Sequence, residues 1–338
     1  MEPIAYWLPV VWAALIGIGV VMYVLLDGFD LGIGILFLAA TDEAERDTAM
    51  NSVAPYWDGN ETWLVLGGAG LLVAFPVAYA IIMPALYLPL ITMLLALVFR
   101  GVAFEFRFVS KPHHRAWDWA FALGSTVATF CQGVVLGGYI RGIPVKDRQF
   151  AGGSFDWLQP FPILCGFGLM AGYALLGSTW LMMKTEGEVA RRARLHATAA
   201  LLLTLCFIAA VSLWTPLAFT RIYDRWFDGN RLVELWPVPL LTAIVALIAW
   251  GGIRKGAGAQ AFIASMGLFL LCFLGLAIST FPFLVPPSVT IWEAAAVPQS
   301  QIFSLIGALL FLPLILAYTA FVYWTFRGKV AGSEGYHE

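Results

Sequence analysis

The sequence predicts an all-α integral membrane protein of nine transmembrane helices, N-terminus outside and C-terminus cytosolic. Three observations carry this. Of 338 residues, 61% are hydrophobic and only 12% charged, about half the 25% or so that soluble domains carry. Charge-free tracts recur at lengths that suit a hydrocarbon core of about 30 Å, which takes about 20 helical residues. Lys and Arg alternate in abundance between successive connecting segments, the bias that sets orientation.

The first span is expected from Trp7 to about Ala40. The preceding MEPIAYW has no basic region or small-residue cleavage site, so this span is read as retained. Residues 62–99 carry no charge over 38 positions, about 57 Å of helix at 1.5 Å per residue. That exceeds one crossing, so two spans are expected with a corner at Pro84. Trp117–Ile140 forms the fourth. Tracts 157–183, 197–220, 235–253, 256–292 and 294–326 supply the other five. With the N-terminus outside, 13 of the 19 Lys and Arg residues fall in inner segments and 6 outside, as the positive-inside rule asks.

Composition also excludes. A net charge of −2 gives no footprint for nucleic acid. Cys131, Cys165, Cys206 and Cys272 stand alone in apolar stretches and form no C-x-x-C, which argues against zinc and iron–sulfur sites. No phosphate-binding loop or H-E-x-x-H occurs. His113, His114, His196 and His337 all fall in polar inner segments by this reading, so none is expected to ligate an intramembrane haem.

The chemistry gathers in three stretches. YVLLDGFDLGIGILF, residues 23–37, carries Asp27 and Asp30 inside an apolar run. Their spacing puts both on one helical face, and a charge at helix centre costs roughly 2.5–3.5 kcal/mol unless buried in protein or wetted. YWDGNETW opens the second span with Asp58 and Glu61, and RGVAFEFR closes the third with Arg100 and Glu105. Acids from three consecutive helices at similar depth suit proton uptake or cation binding. The plainer reading is that Asp58 and Glu61 simply start a helix, where acids are favoured. Gly28 and Gly32 read as helix packing.

DGFDLGIG, APYWDGNETWL, LVFRGVAFEFR, GSTWLMMKTEG and FPFLVPPSVTIWEAAA, in this order from residue 27 to 296, resemble subunit II of cytochrome bd-type quinol oxidases, in particular the cyanide-insensitive branch. The resemblance implies two four-helix bundles plus a peripheral helix, the first over about 1–140 and the second with the peripheral helix over about 157–326. It implies a complex in the bacterial cytoplasmic (inner) membrane that oxidises quinol and reduces oxygen to water. Haem b and haem d would lie in the partner subunit I and none would be ligated here. A structural quinone occurs in some members, and the resemblance leaves a place for a small single-span subunit. Asp27, Asp58 and Glu105 match the family's inner-side acids for proton uptake, supported by Asp30, Glu61 and Arg100. The family can have Asp where Glu105 stands. Trp63 matches the start of an oxygen route. The rivals are a proton-coupled secondary transporter and a purely structural membrane scaffold. A transporter predicts broken helices in corresponding positions of two halves. Pro76, Pro84 and Pro89 are answered by Pro282, Pro286 and Pro287, but the later half has no matching acid pair.

Overall fold

The computed structural model describes residues 3–110, 114–229 and 231–330; His113 and His337 lie outside them. Helix α1 (Pro3–Leu36) runs on through DGFDLG and ends in a 3-10 turn at Phe37–Ala39. A short polar helix, α2 (Glu43–Asn51), follows. Its cap Asp42 accepts the Glu45 N–H at 2.8 Å, satisfying an amide that a helix start leaves orphaned. Then come α3 (Trp57–Ala74), α4 (Pro76–Ala85), α5 (Tyr87–Val109) and α6 (Arg115–Arg141). A two-residue hairpin pairs β1 (Val145–Lys146) with β2 (Gln149–Phe150). Helices α7 (Pro160–Lys184) and α8 (Gly187–Ala218) lead to short α9 (Thr220–Phe227) and α10 (Arg231–Leu235). After α11 (Pro237–Lys255) and α12 (Gly258–Thr280), strands β3 (Phe283–Val285) and β4 (Val289–Thr290) form a second small hairpin. The chain closes with α13 (Ile291–Ala294) and α14 (Pro298–Thr325).

Among the described residues eight helices are long and apolar enough to cross a membrane: α1, α5, α6, α7, α8, α11, α12 and α14. The expected second span differs because it is split. α3 has 18 residues and spends its first turns on Asp58, Asn60 and Glu61, while α4 adds only 10. The corner also moves. Breaks fall at Phe75 and Leu86, and Pro84 lies inside α4. Phe75 takes φ −137° and ψ 62° because the ring of Pro76 disfavours the helical region for the residue before it. Pro84 sits next to the last residue of α4, where few helical bonds remain for it to interrupt.

α7 is the hub, packed against α1, α6, α8 and α12. Its crossing with α1 explains the glycines. A Cβ on Gly32 would lie 1.8 Å from the Tyr173 carbonyl oxygen, and one on Gly177 would lie 2.5 Å from the carbonyl carbon of Gly32. The two backbones touch there, as small-residue pairs permit.

The elements sort into two ends. One collects the C-terminus of α1, α2, the start of α3 and the end of α5. It also takes the α7–α8 junction and the end of α14, tied by Arg192 to Glu45 at 3.1 Å and by Lys184, whose Nζ donates to the carbonyls of Phe326 and Gly328 and to Tyr56 Oη. The other end holds both hairpins, α9, α10 and α13.

Candidate functional site

Asp27, Asp30, Glu61 and Arg100 meet between α1, α3 and α5. Helical periodicity turns Asp27 and Asp30 toward the same side of α1, and both are 0% exposed. Arg100, also fully buried, donates from Nη1 to Asp27 Oδ1 at 2.5 Å and from Nη2 to Glu61 Oε2 at 3.0 Å. Glu61 keeps 29% of its side chain exposed, so the cluster runs from sealed interior to its own edge. The Arg100 guanidinium also lies 5.8 Å from the Trp57 ring, which stacks on Phe104 at 4.8 Å.

Asp30 is held differently. Asn60 Nδ2 donates to Asp30 Oδ2 at 2.7 Å and to the Leu26 carbonyl at 3.3 Å, while the Tyr323 hydroxyl of α14 donates to Asn60 Oδ1 at 2.9 Å. The other oxygens, Asp27 Oδ2 and Asp30 Oδ1, accept nothing from the described protein groups. Two carboxylates, Asp27 and Glu61, thus share one guanidinium, and a third, Asp30, is buried beside them on Asn60. Above them Gln132 Nε2 donates to Tyr23 Oη at 2.7 Å, and Tyr173 Oη donates to Gln132 Oε1 at 2.9 Å. Tyr23 precedes Asp27 by one turn, so this polar array lines up on the same face of α1.

The other predicted residues stand apart. Asp58 and Glu105 are exposed and do not join the Arg100 cluster; Glu105 shares an outward face of α5 with Val98, Val102 and Val109. Trp63 is buried at 2%, its indole N–H without a partner among the described residues. His114 caps α6 from the preceding loop, its Nε2 3.5 Å from Glu43 Oε1. His196 lies in the charged opening stretch of α8, one turn after Arg192. It lines a cavity of about 30 Å³ with Phe37, Glu45 and Arg192.

Sequence reasoning missed a second buried charge site. Arg107, two turns after Arg100 on the same face of α5, pairs through Nη1 with Asp47 of α2 and through Nε with Asp118 of α6 at 2.6 Å. The seven-residue spacing of the two arginines was the available signal. Nothing local could have announced Asn60 and Tyr323, which join across 263 positions. At this end burial pushes the Tyr56 hydroxyl up to about 12, with Asp30 adding to the shift. It therefore stays a neutral phenol and donates to the Phe326 carbonyl at 2.6 Å.

The chain as a whole has known relatives. The family model described as cytochrome bd terminal oxidase subunit II matches residues 8–326. Cytochrome bd-I ubiquinol oxidase subunit 2 of Escherichia coli (strain K12) is 31% identical, over 96% of this chain and 95% of that one. Cytochrome bd ubiquinol oxidase subunit 2 of Bacillus subtilis (strain 168) is 30% identical, over 96% and 97% respectively. The fold is shared with a chain in the structure of bd oxidase from Geobacillus thermodenitrificans, with a TM-score of 0.70, 17% identity and coverage of 94% and 99%. With the match spanning almost every helix that builds the charge cluster and its surroundings, the chain belongs to the cytochrome bd terminal oxidase subunit II family.

Proposed function

We propose that this subunit of a terminal quinol oxidase supports the haem-bearing subunit I and conducts cytosolic protons toward it through the Asp27–Arg100–Glu61 cluster. One observation carries the reading: two carboxylates share one guanidinium, from full burial at Asp27 to 29% exposure at Glu61, and a third, Asp30, is buried one turn from Asp27. One cation can neutralise one acid, and a further buried ionised acid would need water or a proton beside it. A group of this kind holds exchangeable protons. Oxygen reduction consumes protons, so a subunit with such a group near one membrane face is suited to supply them.

In this reading Asp58 and Glu105, both exposed, collect protons at the cytosolic surface, and Glu61 passes them to Asp27, with Asp30 held in reserve by Asn60. Trp63 walls the start of an oxygen route. The topology is nine crossings with the N-terminus outside, α3 and α4 together making the ninth. The first bundle comprises α1, α3–α4, α5 and α6, the second α7, α8, α11 and α12, with α14 peripheral. The resemblance also implies a structural quinone and a small single-span subunit; neither enters a step here.

Haem belongs to the oxidase complex and supplies its electron transfer and oxygen chemistry. The described histidines do not fit it. His114 faces Glu43, and the cavity beside His196, at about 30 Å³, holds about one water molecule. In this reading haem b and haem d sit in subunit I, as the family resemblance implies. Replacing His114 and His196 together by Ala is expected to leave every haem absorption band of the assembled complex in place. Loss of one haem from an otherwise intact complex would refute this.

The test of uptake is Asp58→Asn. Oxygen consumption by the reconstituted complex should fall about tenfold, roughly 1.4 kcal/mol of barrier, with haem content unchanged. Turnover equal to the parent's removes Asp58 from the route.

A further inference from the structure

The end of the molecule away from the acids carries a cavity of about 500 Å³ where α6 gives way to the first hairpin and α8 to α9. Arg141, Asp156, Ile143, Val145, Phe219 and Ser288 are among its walls. Arg100, Arg107, Arg191 and Arg192 all pair with carboxylates. Arg141 instead gives Nη1 to the Asp156 backbone carbonyl at 3.0 Å, and Arg221 of α9 gives Nη2 to the Ile140 carbonyl. Among the described residues neither has a carboxylate partner. Arg221 Nη1 is buried with no acceptor, and it lies 3.6 Å from where a Cβ on Gly142, a wall residue, would stand.

Asp156 contributes one negative charge to the cavity, and its Oδ2 accepts the Gly153 N–H at 2.9 Å. Two guanidiniums outweigh it. Burial pushes the Arg221 guanidinium down, with the Tyr139 hydroxyl acting against this, so its charge stands uncompensated at a cost that a nearby anion would offset. Apart from Ser288 the other wall side chains are apolar, and the last turns of α8 beside it turn Leu213 and Leu217 outward, 67% and 84% exposed. Cations at the end of a membrane helix next to an outward apolar face match an amphiphile whose head is anionic and whose tails run down the helix.

We propose that this cavity binds the phosphodiester headgroup of an anionic membrane phospholipid, with Arg141 donating to the phosphate, Arg221 supplying charge through the Gly142 wall, and the acyl chains lying along α8. The guanidinium fork suits phosphate oxygens. The site lies at the opposite end from the proton cluster and is independent of it.

The experiment uses the purified, delipidated oxidase complex and reads its melting midpoint against added phosphatidylglycerol, a diacylglycerol without phosphate, or inorganic phosphate. Phosphatidylglycerol should raise the midpoint of the parent, as a ligand of the folded state does, and the other two should not. Arg141→Gln should need about tenfold more phosphatidylglycerol for the same gain, the scale of one charge-assisted contact. Ala151→Phe, which fills the cavity from its exposed rim and leaves both guanidiniums intact, should lose the gain in the same way. It decides the matter should Arg141→Gln fail to assemble. The proposal is overturned if inorganic phosphate reproduces the full gain. It is also overturned if Ala151→Phe keeps the parent's response, including the case where Arg141→Gln sheds subunit I and so reveals a protein contact instead.

Discussion

Arg100→Met is expected to destabilise the assembled complex by about 3–5 kcal/mol, the scale of removing one partner from a buried ion pair. The side chain touches two acids at once, Asp27 at 2.5 Å and Glu61 at 3.0 Å, and Asp30 lies one turn along the same helix face. Met fills much of the volume of the arginine stem, so the loss is one of charge rather than of shape. Asp27 is left at 0% exposure, with one oxygen newly stripped of its donor and the other already without one. The measurement is the melting midpoint and the yield of haem-loaded complex. Asp27→Asn combined with Arg100→Met should recover a substantial part of the loss, because the double variant buries no unmatched charge at that pair. A single variant that melts like the parent would show that water already compensates the cluster.

Much of this fold was legible because the membrane leaves the backbone few choices. A charge-free tract of 27 or 33 residues can only be a helix in hydrocarbon, so α7 and α14 could be anticipated to within a few residues. Residues 62–99 were harder. Their apolar composition predicts two crossings, but where the helix breaks depends on which proline has a preceding residue that leaves the helical region. Phe75 with Pro76 meets that condition and Pro84 does not. The short elements were invisible for a related reason. α2 is held by its cap and by tertiary ion pairs of Asp47 and Glu45, and the two hairpins are too brief for an alternating pattern.

The site divides along the same line. Asp27 and Asp30 were conspicuous because charge in an apolar helix demands a partner, and Arg100, at the close of the third span, was a candidate for it. Asp58 and Glu105 looked equivalent to them by spacing. A sequence does not reveal which way a residue at a helix end turns, and both turn outward. Asn60 was overlooked because an amide between two acids carries no charge to flag it. Its meaning comes only from Asp30 on one side and Tyr323 on the other. Arg107 carried no such flag beyond its seven-residue distance from Arg100.

Asp27→Asn is expected to slow oxygen consumption per haem-loaded complex at least about tenfold, equivalent to roughly 1.4 kcal/mol of barrier. Asn keeps the shape, and its carbonyl oxygen can still accept from Arg100 Nη1, so the geometry around the guanidinium is preserved. What disappears is the capacity to take a proton and release it again. Asp27 is the deepest carboxylate that Arg100 links directly to the partly exposed Glu61, so a proton that reaches the edge has no equivalent acid to move to once Asp27 is an amide. Asp30 cannot simply replace it, because one of its oxygens is committed to Asn60 and it has no bond to Arg100. Asp27→Glu restores an ionisable group on a longer stem and should regain part of the rate, which a role confined to packing would not produce. Normalising to haem separates the two explanations. If the slowdown vanishes when activity is counted per haem-loaded complex, Asp27 holds the assembly together and conducts nothing. If it persists with haem content intact and is relieved by Glu, the carboxylate carries the proton.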